Sequence, residues 1–126
     1  MNRPAPALLF AAALLTAGAL WAHHSPSAIF DMEKKITWTG TLTKINWVNP
    51  HITMDMESNG EAWHFESNPP AWFRRVSVSR ADFADSIGKT VTVEGVRARD
   101  GARYGYLSKF KFPDGRSLEV APEGRQ

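Results

Sequence analysis

The sequence predicts a small all-β domain with one short helix, and three observations lead to that prediction. Apolar residues and one glycine alternate with threonines over residues 36–43, Asn59-Gly60 favours a tight hairpin, and further strand patterns follow a capped helix start at Ser79. The resulting order, β-β-β-α-β-β, is that of an OB-like antiparallel barrel. An open antiparallel sheet or a small sandwich is the alternative.

The first predicted strand is long and bent. From Ile36 to Leu42 every second residue is apolar or glycine, which is the period of a half-buried strand. The apolar phase then shifts by one residue to Ile45 and Trp47. A phase shift close to Gly40 is typical of a β-bulge, so we expect this strand to bend there.

The second and third strands are predicted in register from the turn between them. Asn59-Gly60 suits a two-residue type I′ turn, because both central positions need a positive φ. Counting outward puts Asp55 opposite His64 on a polar face. The opposite face carries four apolar side chains, namely Met54, Met56, Trp63 and Phe65.

A short helix is predicted after the third strand. Two prolines at residues 69–70 end that strand, and Ser79 followed by Asp82 three positions later resembles a capping box. The helix is expected to run to Ile87 and to stop at Gly88. Its position in the chain suits a plug for one end of the barrel.

The last strands are predicted around a second hairpin at Asp100-Gly101. Counting from a two-residue turn places Gly95 opposite Tyr106 and keeps the bulky groups on one side. The same count pairs Val93 with Ser108 and Val91 with Phe110. A turn over residues 113–115 then leads to a short final strand, Ser117 to Val120.

The first 22 residues have the parts of a secretory signal peptide. Arg3 gives a thin basic region, residues 7–15 form an apolar core, and residues 20–22 form a small-residue cleavage site. Cleavage there would start the mature chain at His23. The sequence therefore predicts a periplasmic or secreted protein.

The remaining chain is expected to form one domain with no membrane span. A cut at residues 17–19 or an uncleaved anchor is the alternative, although the apolar segment is marginal in length for a span. We divide the chain into a signal peptide (1–22), an N-terminal extended segment (23–34), an OB-like β domain (35–120) and a flexible tail (121–126).

The charge balance and the cysteine content bear on the expected partners and on the source of stability. The chain has 15 basic and 13 acidic residues and no cysteine. Because the charge is nearly balanced, the chain lacks the excess of basic residues that binds nucleic acid, and no nucleic-acid partner is expected. Without cysteine there is no disulfide, and stability has to come from packing.

Histidines suggest a metal site. Cleavage before His23 would place a free α-amine beside an imidazole, a pair that chelates Cu(II), and His24 adds a second imidazole. His51 follows an Asn-Pro turn and is a candidate third ligand. The alternatives are a solvated pair of terminal histidines and a turn-capping His51.

A second hypothesis is a binding module without enzymatic activity. OB-type barrels hold small ligands, sugars or single strands on aromatic and Arg platforms. The candidates for such a face, or for contact with a protein partner in the cell envelope, are Trp47, Asn49, Trp72 and Arg99. The alternative is that the aromatics belong to the core. No enzyme is predicted, because the sequence contains no Cys, no Gly-x-Ser-x-Gly and no His-Glu-x-x-His.

Short motifs also point to a family. The chain contains His-His-Ser at residues 23–25, Trp-Val-Asn-Pro-His at residues 47–51 and Arg-Asp-Gly at residues 99–101. With Phe30, Gly40, Glu66, Arg75 and Gly95, they resemble a family of small exported bacterial proteins of unknown function. The resemblance implies export and one β-rich domain, and it implies no activity.

Overall fold

The computed structural model describes residues 25–121, and these form six strands and three short helices. The strands are β1 (Phe30–Asn46), β2 (Thr53–Ser58), β3 (Glu61–Glu66), β4 (Thr90–Ala98), β5 (Tyr104–Lys111) and β6 (Ser117–Glu119). The helices are α1 (Pro26–Ile29), α2 (Pro70–Arg75) and α3 (Arg80–Ala84).

Five of the strands close into a barrel, which confirms the predicted fold class. The hydrogen-bonded order is β3-β2-β1-β4-β5-β6, and a further pairing between β3 and β5 closes the ring. The closing pair is parallel, with His64 next to Tyr104 and Glu66 next to Tyr106, so the barrel is mixed. The other pairs are antiparallel, as predicted.

The long first strand pairs with two neighbouring strands. β1 starts at Phe30, five residues before the predicted start at Lys35, and its first part pairs with β4. Its last part pairs with β2, and the register shifts between Leu42 and Lys44. This bulge confirms the bend predicted from the phase of the apolar residues, and it lets one strand contribute to both sides of the barrel.

The two hairpin predictions had different outcomes. The β2–β3 register is confirmed, with Met54 opposite Phe65 and Asp55 opposite His64. The β4–β5 register is wrong, because Gly95 pairs with Leu107 instead of Tyr106. The connection spans five residues, 99–103, and a bulge separates Glu94 from Gly95, so a count from a two-residue turn cannot hold.

Two helices lie between β3 and β4, where one was predicted. The missed helix, α2, starts at Pro70, and proline is well tolerated in a first helical turn. α3 has the predicted capping box of Ser79 and Asp82, although it ends at Ala84. Gly88 has a φ of +80° and turns the chain toward β4.

The core fills the barrel and extends under the helices. The side chains from the predicted apolar face of β2 and β3 are all buried, and Phe73 of α2 and Phe83 of α3 pack ring against ring at a centroid distance of 5.6 Å. α2 and α3 therefore cover one end of the barrel. Across residues 25–121, no helix has the length and apolar character needed to cross a membrane.

Candidate functional site

Five polar side chains form a stripe on the outside of the barrel. Successive residues of β3 point to opposite faces, so His64 and Glu66 point outward while Phe65 points into the core. Their outward neighbours come from β2, from the residues before it and from β5. We call this group the polar stripe, and its members are His51, Asp55, His64, Glu66 and Tyr104.

His51 is held against a carboxylate at one end of the polar stripe. Its Nδ1 lies 2.5 Å from Oε1 of Glu66, and both side chains are largely covered, with 27% and 20% of their surface exposed. The residue after it, Ile52, pairs its backbone with Asn68 and Ser67, which fixes the chain beside β3. When Nδ1 donates to the carboxylate, the lone pair of the ring lies on Nε2.

His64 makes a similar pair on the same face. Its Nδ1 lies 2.5 Å from Oδ1 of Asp55, directly across the β2–β3 ladder, as predicted from the turn. This pair is more exposed than the first, with 45% of the His64 side chain and 35% of the Asp55 side chain open to solvent. Solvent therefore screens this pair more strongly.

Tyr104 connects the two pairs. Its hydroxyl donates to Oε2 of Glu66, and its ring stacks on the His64 ring at a centroid distance of 5.5 Å and an interplanar angle of 20°. Burial, and then the hydrogen bond and charge of Glu66, raise the pKa of Tyr104 well above its usual range. The phenol therefore stays protonated and remains a hydrogen-bond donor at any physiological pH.

The first described residues lie against the same region. The backbone N of Arg99 donates to the carbonyl oxygen of Ile29 at 2.9 Å, and its Nε donates to that of Ser27 at 3.2 Å. Phe30 is buried with its ring 5.0 Å from the Tyr104 ring. Arg99, predicted as a ligand-binding residue, thus contacts the start of the described chain. The predicted metal ligands His23 and His24 lie outside the described residues.

The predicted aromatic platform lies elsewhere. Trp47 is half-buried, with its ring 5.6 Å from Phe73 and 6.0 Å from Phe83. Trp72 is half-buried with its ring 4.9 Å from Phe73. Both tryptophans pack at the helix-covered end of the barrel. Asn49 is exposed in the connection that follows the end of β1, whereas Arg99 follows Ala98, which pairs with Phe30 at the start of β1. Asn49 and Arg99 therefore lie toward opposite ends of β1.

The charge of the polar stripe suits a cation. Asp55 and Glu66 supply two carboxylates, and the two histidines are neutral when they act as ligands. Within residues 25–121, no group of three His, Cys, Asp or Glu side chains is placed to hold a metal ion. The polar stripe offers imidazole nitrogens on an acidic surface.

Sequence reasoning identified part of this arrangement. The hairpin count places Asp55, His64 and Glu66 on one outer face, and His51 was selected for its place at the start of β2. Tyr104 was missed, because it reaches the polar stripe through the parallel β3–β5 pair that closes the barrel. The outward position of Glu66 next to a histidine-bearing turn is the signal that could have indicated the His51–Glu66 pair.

Comparison with known proteins places the chain in a family. No curated protein matches the sequence. The family model that matches covers residues 12–108, which is most of the chain and includes every member of the polar stripe. This agrees with the resemblance drawn from the short motifs. The chain belongs to the family of unknown function DUF6152.

Proposed function

We propose that the protein is an exported copper-binding protein. In this proposal Nε2 of His51 binds Cu(II), and the amine and imidazole nitrogens of a mature chain starting at His23 supply further ligands. The contact between His51 and Glu66 is the observation that carries it. Export to the periplasm, cleavage before His23 and the choice of copper come from the sequence and are part of the proposal.

The His51–Glu66 contact has the geometry expected around a metal ligand. A histidine that binds a metal through one ring nitrogen usually donates its other N–H to a carboxylate, which fixes the tautomer and the orientation of the ring. Glu66 is placed to accept this N–H at 2.5 Å. The ring is thus oriented before a metal arrives.

The start of the described chain supports a contribution from the N-terminal histidines. Phe30 packs on Tyr104, and Tyr104 donates to the same Glu66 that accepts from His51. Ser25, the residue after His24, is the first described residue, and helix α1 leads from it directly to Phe30. The described chain therefore begins on the side of the barrel that holds Tyr104.

Nitrogen donors favour copper over the hard cations. Imidazole and amine nitrogens suit Cu(II) in a tetragonal arrangement, whereas magnesium and calcium prefer oxygen. An N-terminal His-His sequence offers an amine, a backbone amide nitrogen and two imidazoles. His51 would add an imidazole from the folded domain, so that the site would depend on both the terminus and the barrel.

The test is a Cu(II) titration of the protein that starts at His23, followed by calorimetry and by the visible d–d band. We expect His51→Ala to weaken Cu(II) binding about 10-fold, on the scale of one lost ligand contact. Glu119→Gln is the control, since it removes a surface carboxylate that pairs with Lys109 at 3.0 Å outside the polar stripe, and it is expected to change affinity by less than about 2-fold. Acetylating the N-terminal amine is expected to abolish tight binding, because the blocked amine can no longer bind Cu(II).

Three results would contradict this proposal in different ways. Equal losses in His51→Ala and Glu119→Gln would reject His51 as the specific barrel ligand. Full affinity in His51→Ala, with loss on acetylation of the N-terminal amine, would leave a bare terminal chelate. If neither change affects the titration, the copper proposal fails, and a binding module of the kind considered from the sequence becomes the better account.

A further inference from the structure

Glu66 is held from two sides. One carboxylate oxygen, Oε1, lies 2.5 Å from the His51 ring, and the other, Oε2, accepts from the Tyr104 hydroxyl. A glutamate side chain has three rotatable bonds, so a single hydrogen bond would leave its carboxylate free to turn. The second hydrogen bond, from Tyr104, fixes the plane of the Glu66 carboxylate.

Tyr104 is itself rigidly placed. Its backbone is part of the parallel β3–β5 ladder beside His64, and its ring centroid lies 5.5 Å from that of His64 and 5.0 Å from that of the buried Phe30. The phenol oxygen is therefore aimed at Glu66 by the packing of the barrel and by the start of the described chain. This placement does not require a ligand.

We propose that Tyr104 is a positioning residue for the metal site, holding Glu66 and, through it, the ring of His51. The inference rests on the proposed copper function. It adds that the affinity of His51 for the metal depends on a hydroxyl that does not touch the metal. Groups that hydrogen-bond to a metal ligand typically change metal affinity 10- to 100-fold when they are removed, and Tyr104 acts one contact further from the metal than Glu66 does.

The test is the Tyr104→Phe variant in the same Cu(II) titration. It keeps the ring that packs on His64 and Phe30 and removes only the hydroxyl, so we expect the fold to be retained and Cu(II) affinity to fall about 3- to 10-fold. Ser108→Ala is the matched control, because it removes a β5 hydroxyl that donates to the backbone of Glu94 at 3.2 Å, outside the polar stripe. We expect that control to bind copper like the parent.

A double-mutant cycle separates positioning from a general loss of structure. If Tyr104 acts through His51, Tyr104→Phe has no further effect in a His51→Ala background. Additive losses would overturn the inference, and so would parental affinity in Tyr104→Phe. Either result leaves the copper proposal standing as long as His51→Ala itself weakens binding. Parental affinity in His51→Ala would instead reject His51 as the barrel ligand, and this inference with it.

Discussion

Replacing Phe65 with Ala is expected to destabilise the protein by about 3–5 kcal/mol, the usual cost of removing a fully buried phenylalanine. Phe65 has no exposed surface, and its ring lies 5.0 Å from the Trp38 ring and against Gly105 on the closing strand. The cavity would thus open at the β3–β5 seam. For a domain of about 100 residues, the melting temperature should fall by more than about 12 °C.

Val48→Ala is the matched control for this experiment. Val48 is an aliphatic residue with 55% of its surface exposed, so its truncation is expected to change stability by less than about 0.5 kcal/mol. Thermal and urea unfolding of both variants would measure the difference. A loss below about 1 kcal/mol in Phe65→Ala would show that Phe65 does not fill the closing seam.

Gly40→Ala is expected to prevent stable closure between β1 and β2. A Cβ at this position would lie 2.0 Å from the carbonyl oxygen of Glu57 and 2.9 Å from its carbonyl carbon. Those atoms belong to the backbone of the neighbouring strand, so the contact cannot be relieved by turning a side chain. The cost should exceed the roughly 1–3 kcal/mol of an overpacked core.

Thr41→Ala provides the comparison for the glycine variant. It changes the next residue of β1, which is exposed, and strand propensity limits its cost to at most about 1 kcal/mol. Folded Thr41→Ala together with mostly unfolded Gly40→Ala in an amide NMR spectrum is the expected pair of results. A Gly40→Ala protein that unfolds within about 5 °C of the parent would show that the two backbones are not in close contact.

Local signals explain why the first hairpin could be predicted from the sequence. Asn59 has a φ of +52° and Gly60 a φ of +75°, which is the backbone that a two-residue Asn-Gly turn requires. Asp100-Gly101 gives a similar signal for the second hairpin, but β4 ends at Ala98 and β5 begins only at Tyr104. There the side chain of Asp100 bonds the backbone N of Ala102, and the Arg97 side chain binds the loop carbonyls, which stabilises a longer connection.

Only the part of the candidate site that lies within one hairpin, or next to it, could be predicted from the sequence. The Asp55–His64 pair follows from counting across one turn, and His51 from its place before β2. Tyr104 lies 38 residues after Glu66 in the chain, and its contact depends on the parallel pairing that closes the barrel. No periodicity in the sequence reports a pairing between two distant strands, so this hydroxyl could not have been found.

The surroundings of the tryptophans could not be predicted from the sequence for a different reason. The sequence supports two interpretations of Trp47 and Trp72, a ligand-binding platform and part of the core, and composition does not distinguish between them. Phe73 is buried between α2 and the end of the barrel, and the rings of Trp47 and Trp72 both pack on it. This packing places both tryptophans at the helix-covered end of the barrel. That packing depends on α2, which starts at the second of two prolines that the sequence pattern indicates only as the end of the third strand.

Native mass spectrometry of the protein purified from its producing cell, without denaturation or added metal, tests the copper proposal most directly. One measurement reports both the first residue of the chain and any metal that it carries. We predict a chain that begins at His23 and carries one copper ion, and a smaller copper-bound fraction when His51 is replaced by Ala. A chain that retains Met1, or a chain that begins at His23 and carries no copper, would contradict the account.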